Sequence, residues 1–253
     1  MRIFLKTEDE IILLRAASQL ATRALIEVGR HVVPRLALSH LRNKVVNAVM
    51  RTVPTESNSG KEALSSDTEF TFFVNGAYIE PSLEGECMLC EGDWLTVNCW
   101  VCLDGYYSFG AHTFIVESSQ DDEPMISTLR DMLRQVVRRA SAGHSIKEMS
   151  RTVYSLHAHD PYVLQKTFGH GVGRNRVENP ILRMNPGVND TVLLKEGMCL
   201  VIALAFKHGR SHFNKPRLMH ESTFHNPFVP FGTTVVVRPG RPEILTSFET
   251  IVK

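Results

Sequence analysis

Apolar residues run through this chain in the same order of periods twice, first helical and then alternating, and that repetition restricts the open folds more than any other feature. Ile11, Leu14, Ala17, Leu20, Ala21, Ala24 and Val28 fall on one helical stripe, with Thr7 and Glu10 forming a capping box ahead of them. Residues 8 to about 31 therefore read as a long amphipathic helix. Ser39 to Met50, with Leu41, Val45 and Val49, reads as a second, after which the polar stretch TESNSGKEALSSD reads as a loop. Glu69 to Ile79, Trp94 to Leu103 and Tyr106 to Glu117 are rich in aromatic and β-branched residues and read as strands, with Asp104-Gly105 as the hairpin turn between the last two. The order then restarts. Met125 to Ala140 and Ser145 to Leu156 read as helices, the second opened by a Ser145/Glu148 box, and strands follow near 162 to 168, 198 to 206, 232 to 238 and 243 to 249. Two rounds of helix, helix and strands predict one α+β domain over residues 1–253, with a pseudo-twofold and helices on one face of a curved antiparallel sheet.

Charge narrows the partners. The 28 Lys and Arg against 27 Asp and Glu leave a net charge of +1, which supplies no electrostatic footprint for nucleic acid or anionic lipid. A protein or peptide recognised by shape is the expected partner. The longest apolar runs, such as Cys199 to Phe206, fall well short of the roughly 18 residues of a spanning helix, and the opening MRIFLKTEDE lacks an apolar signal core. These features predict a cytoplasmic protein. An odd count of five cysteines predicts reduced thiols rather than a disulfide framework.

The stretch FGHGVGRNRVENP, residues 168 to 180, sets His170 between two glycines in the manner of a metal-site segment. With VNGAYIEP, DGYYSFGAHTF, LLKEGMCLVIALAF, the ending PEILT and the opening IFLKTEDEIILLRAASQLATRAL, it resembles the type I methionine aminopeptidases, in their order and near their spacing, over nearly the whole chain. The resemblance implies the pita-bread fold. Members of that family remove the initiator methionine with two divalent metals bridged by two aspartates, two glutamates and one histidine. Aligned on Asp104-Gly105-Tyr106, the resemblance places the aspartates at Asn98 and Phe109, the histidine at His170, and the glutamates at Ala203 and Gly232. Two further family histidines, which contact substrate, fall on Glu80 and Val177. One imidazole and one neutral amide do not hold a divalent pair, so the expectation is a degenerate site with no bound metal or other cofactor. Phe109 gains volume where Ala203 and Gly232 lose it, which predicts a plugged site.

The predicted function is that of a catalytically inactive pseudoenzyme binding peptide or protein; the alternative is a metal-free hydrolase or lyase on the same fold, using His170 and Glu80. For His170 itself a relic or hydrogen-bonded structural role is the plainer reading. Cys87, Cys90, Cys99 and Cys102 have a zinc-like spacing, but a strand through residues 94 to 103 would turn Cys99 and Cys102 to opposite faces. In MHESTFHNP, His220, Glu221 and His225 read as a surface segment. The loops Thr55 to Ser66 and Lys207 to Pro230 are expected to rim the old cleft, and Phe213, His220, Phe224, His225, Phe228 and Phe231 in and beside the second are the candidate binding rim, although aromatics on a loop are more often tucked against the sheet as local core.

Overall fold

The structure, a computed structural model, describes residues 2–53, 64, 66–117, 124–157, 163–164, 166–185, 192–207, 228–247 and 251. Helix α1 spans Glu8–His31 and begins at the expected cap: Thr7 Oγ1 accepts from Glu10 N at 3.3 Å, and Glu10 Oε2 accepts from Thr7 N at 3.0 Å. Helix α2 spans Leu38–Thr52 and buries Leu38, Leu41, Val45 and Val49. In the second round, α3 covers Pro124–Arg138 and α4 covers Ile146–His157. Before α4 the Ser145/Glu148 box forms, with Glu148 N donating to Ser145 Oγ at 3.2 Å and Ser145 N donating to Glu148 Oε2 at 2.6 Å.

The strands are β1 (Glu69–Val74), β2 (Ala77–Ile79), β3 (Trp94–Leu103), β4 (Tyr106–Ile115), β5 (Val163–Leu164), β6 (Thr167–Gly171), β7 (Glu178–Arg183), β8 (Cys199–Lys207), β9 (Phe228–Val236) and β10 (Glu243–Ile244). The single strand expected over Glu69 to Ile79 is a hairpin instead. Asn75 and Gly76 take φ of 51° and 79°, the left-handed conformation that Asn-Gly adopts readily and that reverses the chain in two residues. The strand expected near 162 to 168 is two short pieces. β7 was not anticipated, because Arg176 to Arg183 alternates too weakly to signal a strand. β9 starts earlier than residue 232, so the expected Lys207 to Pro230 loop is strand at both ends; the described part of the final strand covers Glu243–Ile244.

All pairings are antiparallel, and along the sheet the order is β2-β1-β3-β4-β9-β8-β6-β7, with β10 on β9 and β5 on β8. That order is symmetric: β1, β2, β3 and β4 of the first round occupy the places of β6, β7, β8 and β9 in the second. The predicted pseudo-twofold is therefore present in the topology, and the halves meet where Ala111 of β4 pairs with Gly232 of β9.

Each half buries its own core under its helix pair. Leu20, Leu25, Leu41 and Val45 pack with Phe72, Val97 and Phe114, while Leu129, Leu133, Met149 and Val153 pack with Leu200, Ile202 and Phe231. Since Val97, Cys99 and Val101 face the first helix pair, the alternation of a strand turns Thr96, Asn98, Trp100 and Cys102 to the other face. A third cluster, including Ile11, Leu14, Phe109, Ala111, Val172 and Val201, joins the halves.

Candidate functional site

On the sheet face away from the helix pairs, Asn98, Ala111, Gly232 and Ala203 form one row across β3, β4, β9 and β8, through the pairs Asn98↔Ala111, Ala111↔Gly232 and Gly232↔Ala203. One same-face step along the hairpin, Trp100 pairs with Phe109. His170 of β6 pairs with Val201, two residues from Ala203 and thus on the same face. The fold therefore brings together all five positions that the resemblance assigns to metal ligands: Asn98, Phe109, His170, Ala203 and Gly232.

Their chemistry differs from what that role needs. The Phe109 ring, only 7% exposed, lies 4.8 Å from Trp100 between centroids. It also lies over Gly232, where an added Cβ would sit 2.6 Å from Phe109 Cε1 and 3.0 Å from Ala203 Cβ. The ring thus occupies the volume a side chain at 232 would need. Asn98 contributes an amide whose Oδ1 is buried and has no hydrogen-bond partner, an arrangement that costs desolvation without return. Hard or borderline divalent cations are held by several oxygen or imidazole donors. The five assigned positions offer one amide oxygen and one imidazole, and the remaining three residues donate nothing, so the donor set does not fit a metal pair. Among the described residues, no group of three or more His, Cys, Asp or Glu converges on a point.

His170 sits in strand β6. An added Cβ at Gly169 would collide with the Val201 carbonyl, and one at Gly171 with the Asn179 carbonyl, so close backbone approach on both sides requires the two glycines. The imidazole lies parallel to Trp100, with centroids 6.1 Å apart and planes 9° apart. Its Nδ1 is 2.9 Å from Gly171 O; the carbonyl only accepts, which assigns the proton to Nδ1. Burial pushes its pKa below the ordinary value of 6.5, and the bond to Gly171 opposes that in part. Glu80 lies on an exposed turn ahead of Pro81–Leu83. Among the described residues no hydrogen bond or ion pair joins it to His170. Val177 is 59% exposed.

The sequence reading missed the residues that hold this face closed. Between β6 and β7 the chain Gly173 to Glu178 crosses to the other half. Glu178 accepts from Lys6 Nζ at 2.5 Å, both side chains being 5% exposed. Arg174 lies over Tyr106, 4.7 Å from its centroid, and the Tyr106 hydroxyl donates to Glu10 at 2.7 Å. Arg176 lies over Trp100 and Tyr107 at 5.6 and 5.8 Å, and donates to Glu69 Oε2 at 2.8 Å and to the Asp67 carbonyl. Its guanidinium holds the Glu69 carboxyl below its usual range. Alternating arginines in GRNRVE were the available signal, but their aromatic partners lie some 70 residues away by sequence count.

Of the candidate rim, Phe231 is corrected. It faces the second core, fully buried, edge-on to His112 at 4.8 Å, because strand β9 begins before it and alternation turns it to the helix side. Phe228 lies in β9 opposite Lys207. Phe213, His220, Glu221, Phe224 and His225 lie outside the described residues, as does most of Thr55 to Ser66. Cys99 packs in the helix-side core and Cys102 on the opposite face, so these thiols diverge; burial pushes Cys87 up to about 11.

A curved antiparallel sheet of two equivalent halves, each covered by a helix pair, with a central row where the halves meet, defines the pita-bread architecture. A model of the metallopeptidase family M24 matches residues 12–238, and the chain belongs to that family. The methionine aminopeptidase of Helicobacter pylori is 28% identical over 220 residues, covering 83% of this chain and 85% of that protein. The methionine aminopeptidase of Thermotoga maritima has a similar structure, with a TM-score of 0.79 at 20% identity, covering 97% of this chain and all of the other. The N-terminal domain of the FACT complex subunit SPT16 from Cicer arietinum also shares the fold, with a TM-score of 0.73 at 16% identity, over 98% of this chain and 60% of that one. Among the described residues, no helix is long and apolar enough to cross a membrane.

Proposed function

We propose that this M24-family chain is a methionine-aminopeptidase-like pseudoenzyme, without two-metal peptidase activity, that serves as a peptide- or protein-binding module. The observation that carries this reading is the central row. Five assigned ligand positions meet there, yet they offer one imidazole and one amide, with the Phe109 ring over Gly232. The similar aminopeptidases give the ancestry of the scaffold, and the loss of carboxylates is an argument from this chain's own residues. That the fold also serves as a domain of a complex subunit supports a binding role. The reading places the protein in the cytoplasm, as one domain, with an unidentified protein or peptide partner and neither nucleic acid nor membrane.

Metal analysis of chelator-free protein, together with a cleavage assay on a Met-Ala peptide supplied with cobalt, manganese or iron, tests the proposal. The expected result is no stoichiometric metal and no turnover. Two metals per chain, or turnover that His170→Ala abolishes, would overturn it.

A further inference from the structure

A second concave feature lies away from the central row, where the last turn of α3 meets the turn between β9 and β10. Arg134, Val137 and Arg138 stand on one helix face at i, i+3 and i+4, and Gly240, Arg241, Pro242 and Ile244 form the opposite wall. The concavity between them has a volume of about 590 Å³. Its apolar lining includes Val137, buried, and Ile244, exposed, and three guanidiniums line it as well.

The charges there are unequally compensated. Arg134 donates to Asp131 at 2.6 Å. The other nearby acid, Glu243, is engaged with Arg15 at 2.5 Å and with Arg238 at 3.1 Å. Among the described residues neither Arg138 nor Arg241 has a carboxylate partner, and both are exposed. Stabilisation of the negative end of α3 accounts for Arg138 but not for Arg241, which arrives from a separate element. The turn that brings Arg241 is stiff. Pro239 and Pro242 flank it, Gly240 takes the left-handed φ of 75°, and Arg238 is bonded to both Glu8 and Glu243.

We propose that Arg138 and Arg241, with Arg134 beside them, bind a phosphate monoester. Two uncompensated guanidiniums match the near-dianionic charge of such a group at neutral pH, and each planar fork presents paired N–H donors to its oxygens. A single carboxylate would leave one of the two charges unmatched. The apolar lining at Ile244 and Pro242 accepts the carbon portion that carries the phosphate. The source is either a small phosphorylated molecule or a phosphorylated side chain of a partner.

Calorimetric titration of the full chain tests this with four probes: inorganic phosphate, a phosphoserine peptide, and the same peptide carrying serine or glutamate. Both phosphate probes should bind, and the serine peptide should not. The Arg138→Ala/Arg241→Ala variant should bind at least about tenfold more weakly, the loss expected from removing charge-assisted bonds. Arg241→Lys, which keeps charge and loses the fork, should fall between the two and guards against a folding defect in the double variant. A phosphopeptide binding at least about tenfold tighter than inorganic phosphate assigns the site to a protein side chain, and equal affinities assign it to a small molecule. The proposal is overturned by no binding of either phosphate probe, by binding unchanged in the double variant, or by a glutamate peptide that binds as well as the phosphopeptide.

Discussion

Phe109 decides the character of the central site, because its ring packs at a tilt against Trp100 and fills the space above Gly232. A carboxylate there would be buried beside aromatic and aliphatic groups without a cation, at several kcal/mol, and would also leave a cavity. Phe109→Asp should therefore melt well below the parent; an unchanged melting temperature would mean that this side chain faces water and that no plug exists. The same packing makes 109 and 232 interdependent. Gly232→Ala alone should cost about 1–3 kcal/mol by overpacking, and Phe109→Ala about 3–5 kcal/mol by leaving a void. In the double variant the new methyl enters that void, so denaturant unfolding should give a sum smaller by at least about 0.5 kcal/mol. Strict additivity would remove the contact from the account.

The stretch between β6 and β7 ties the two halves across the face they share. Arg176 is its central contact, lying over Trp100 and Tyr107 and bonded to Glu69 and the Asp67 carbonyl. Because Arg176 holds the Glu69 carboxyl below 4.5, the pair adds stability above about pH 4.5 that is lost as pH falls through the folded value. The Glu69 side chain is 54% exposed, so the gain from the ion pair is under about 1 kcal/mol. Arg176→Ala should accordingly lower stability slightly at neutral pH, with the difference shrinking below pH 4.5. Amide exchange at Asn175, Arg176 and Val177 should rise by more than the global change, since Lys6–Glu178 still holds the end of the segment. Exchange that rises equally throughout the molecule would show that Arg176 acts on the global fold and not as a local tie.

Across the whole molecule, the binding role assigns different consequences to aromatics that lie close in sequence. Phe231 belongs to the second core, so Phe231→Ala should unfold the protein at a lower temperature and reduce partner capture only through that instability. Phe224→Ala should instead weaken capture from native lysate while barely moving the melting temperature, with His170→Ala leaving capture nearly intact. Capture indifferent to Phe224 but lost with His170 would favour a pocket that binds a small molecule. The two rounds of helix, helix and strand were readable because periodicity records burial locally: the stripe from Ile11 to Val28, the Thr7/Glu10 box and the Asp104-Gly105 turn all act within one element. The Asn75-Gly76 turn was equally local and was overlooked inside an apolar run. The row of five positions was reached through resemblance, and its composition could be read directly from the residues at those positions. Register and sheet order were different in kind. That Gly232 pairs with both Ala111 and Ala203, that Trp100 bridges Phe109 to His170, and that Arg176 meets Trp100, Tyr107 and Glu69 all depend on contacts between segments far apart in the chain. Local propensity carries no record of those contacts; they are decided only when the two halves close their sheet and compete for the same buried space.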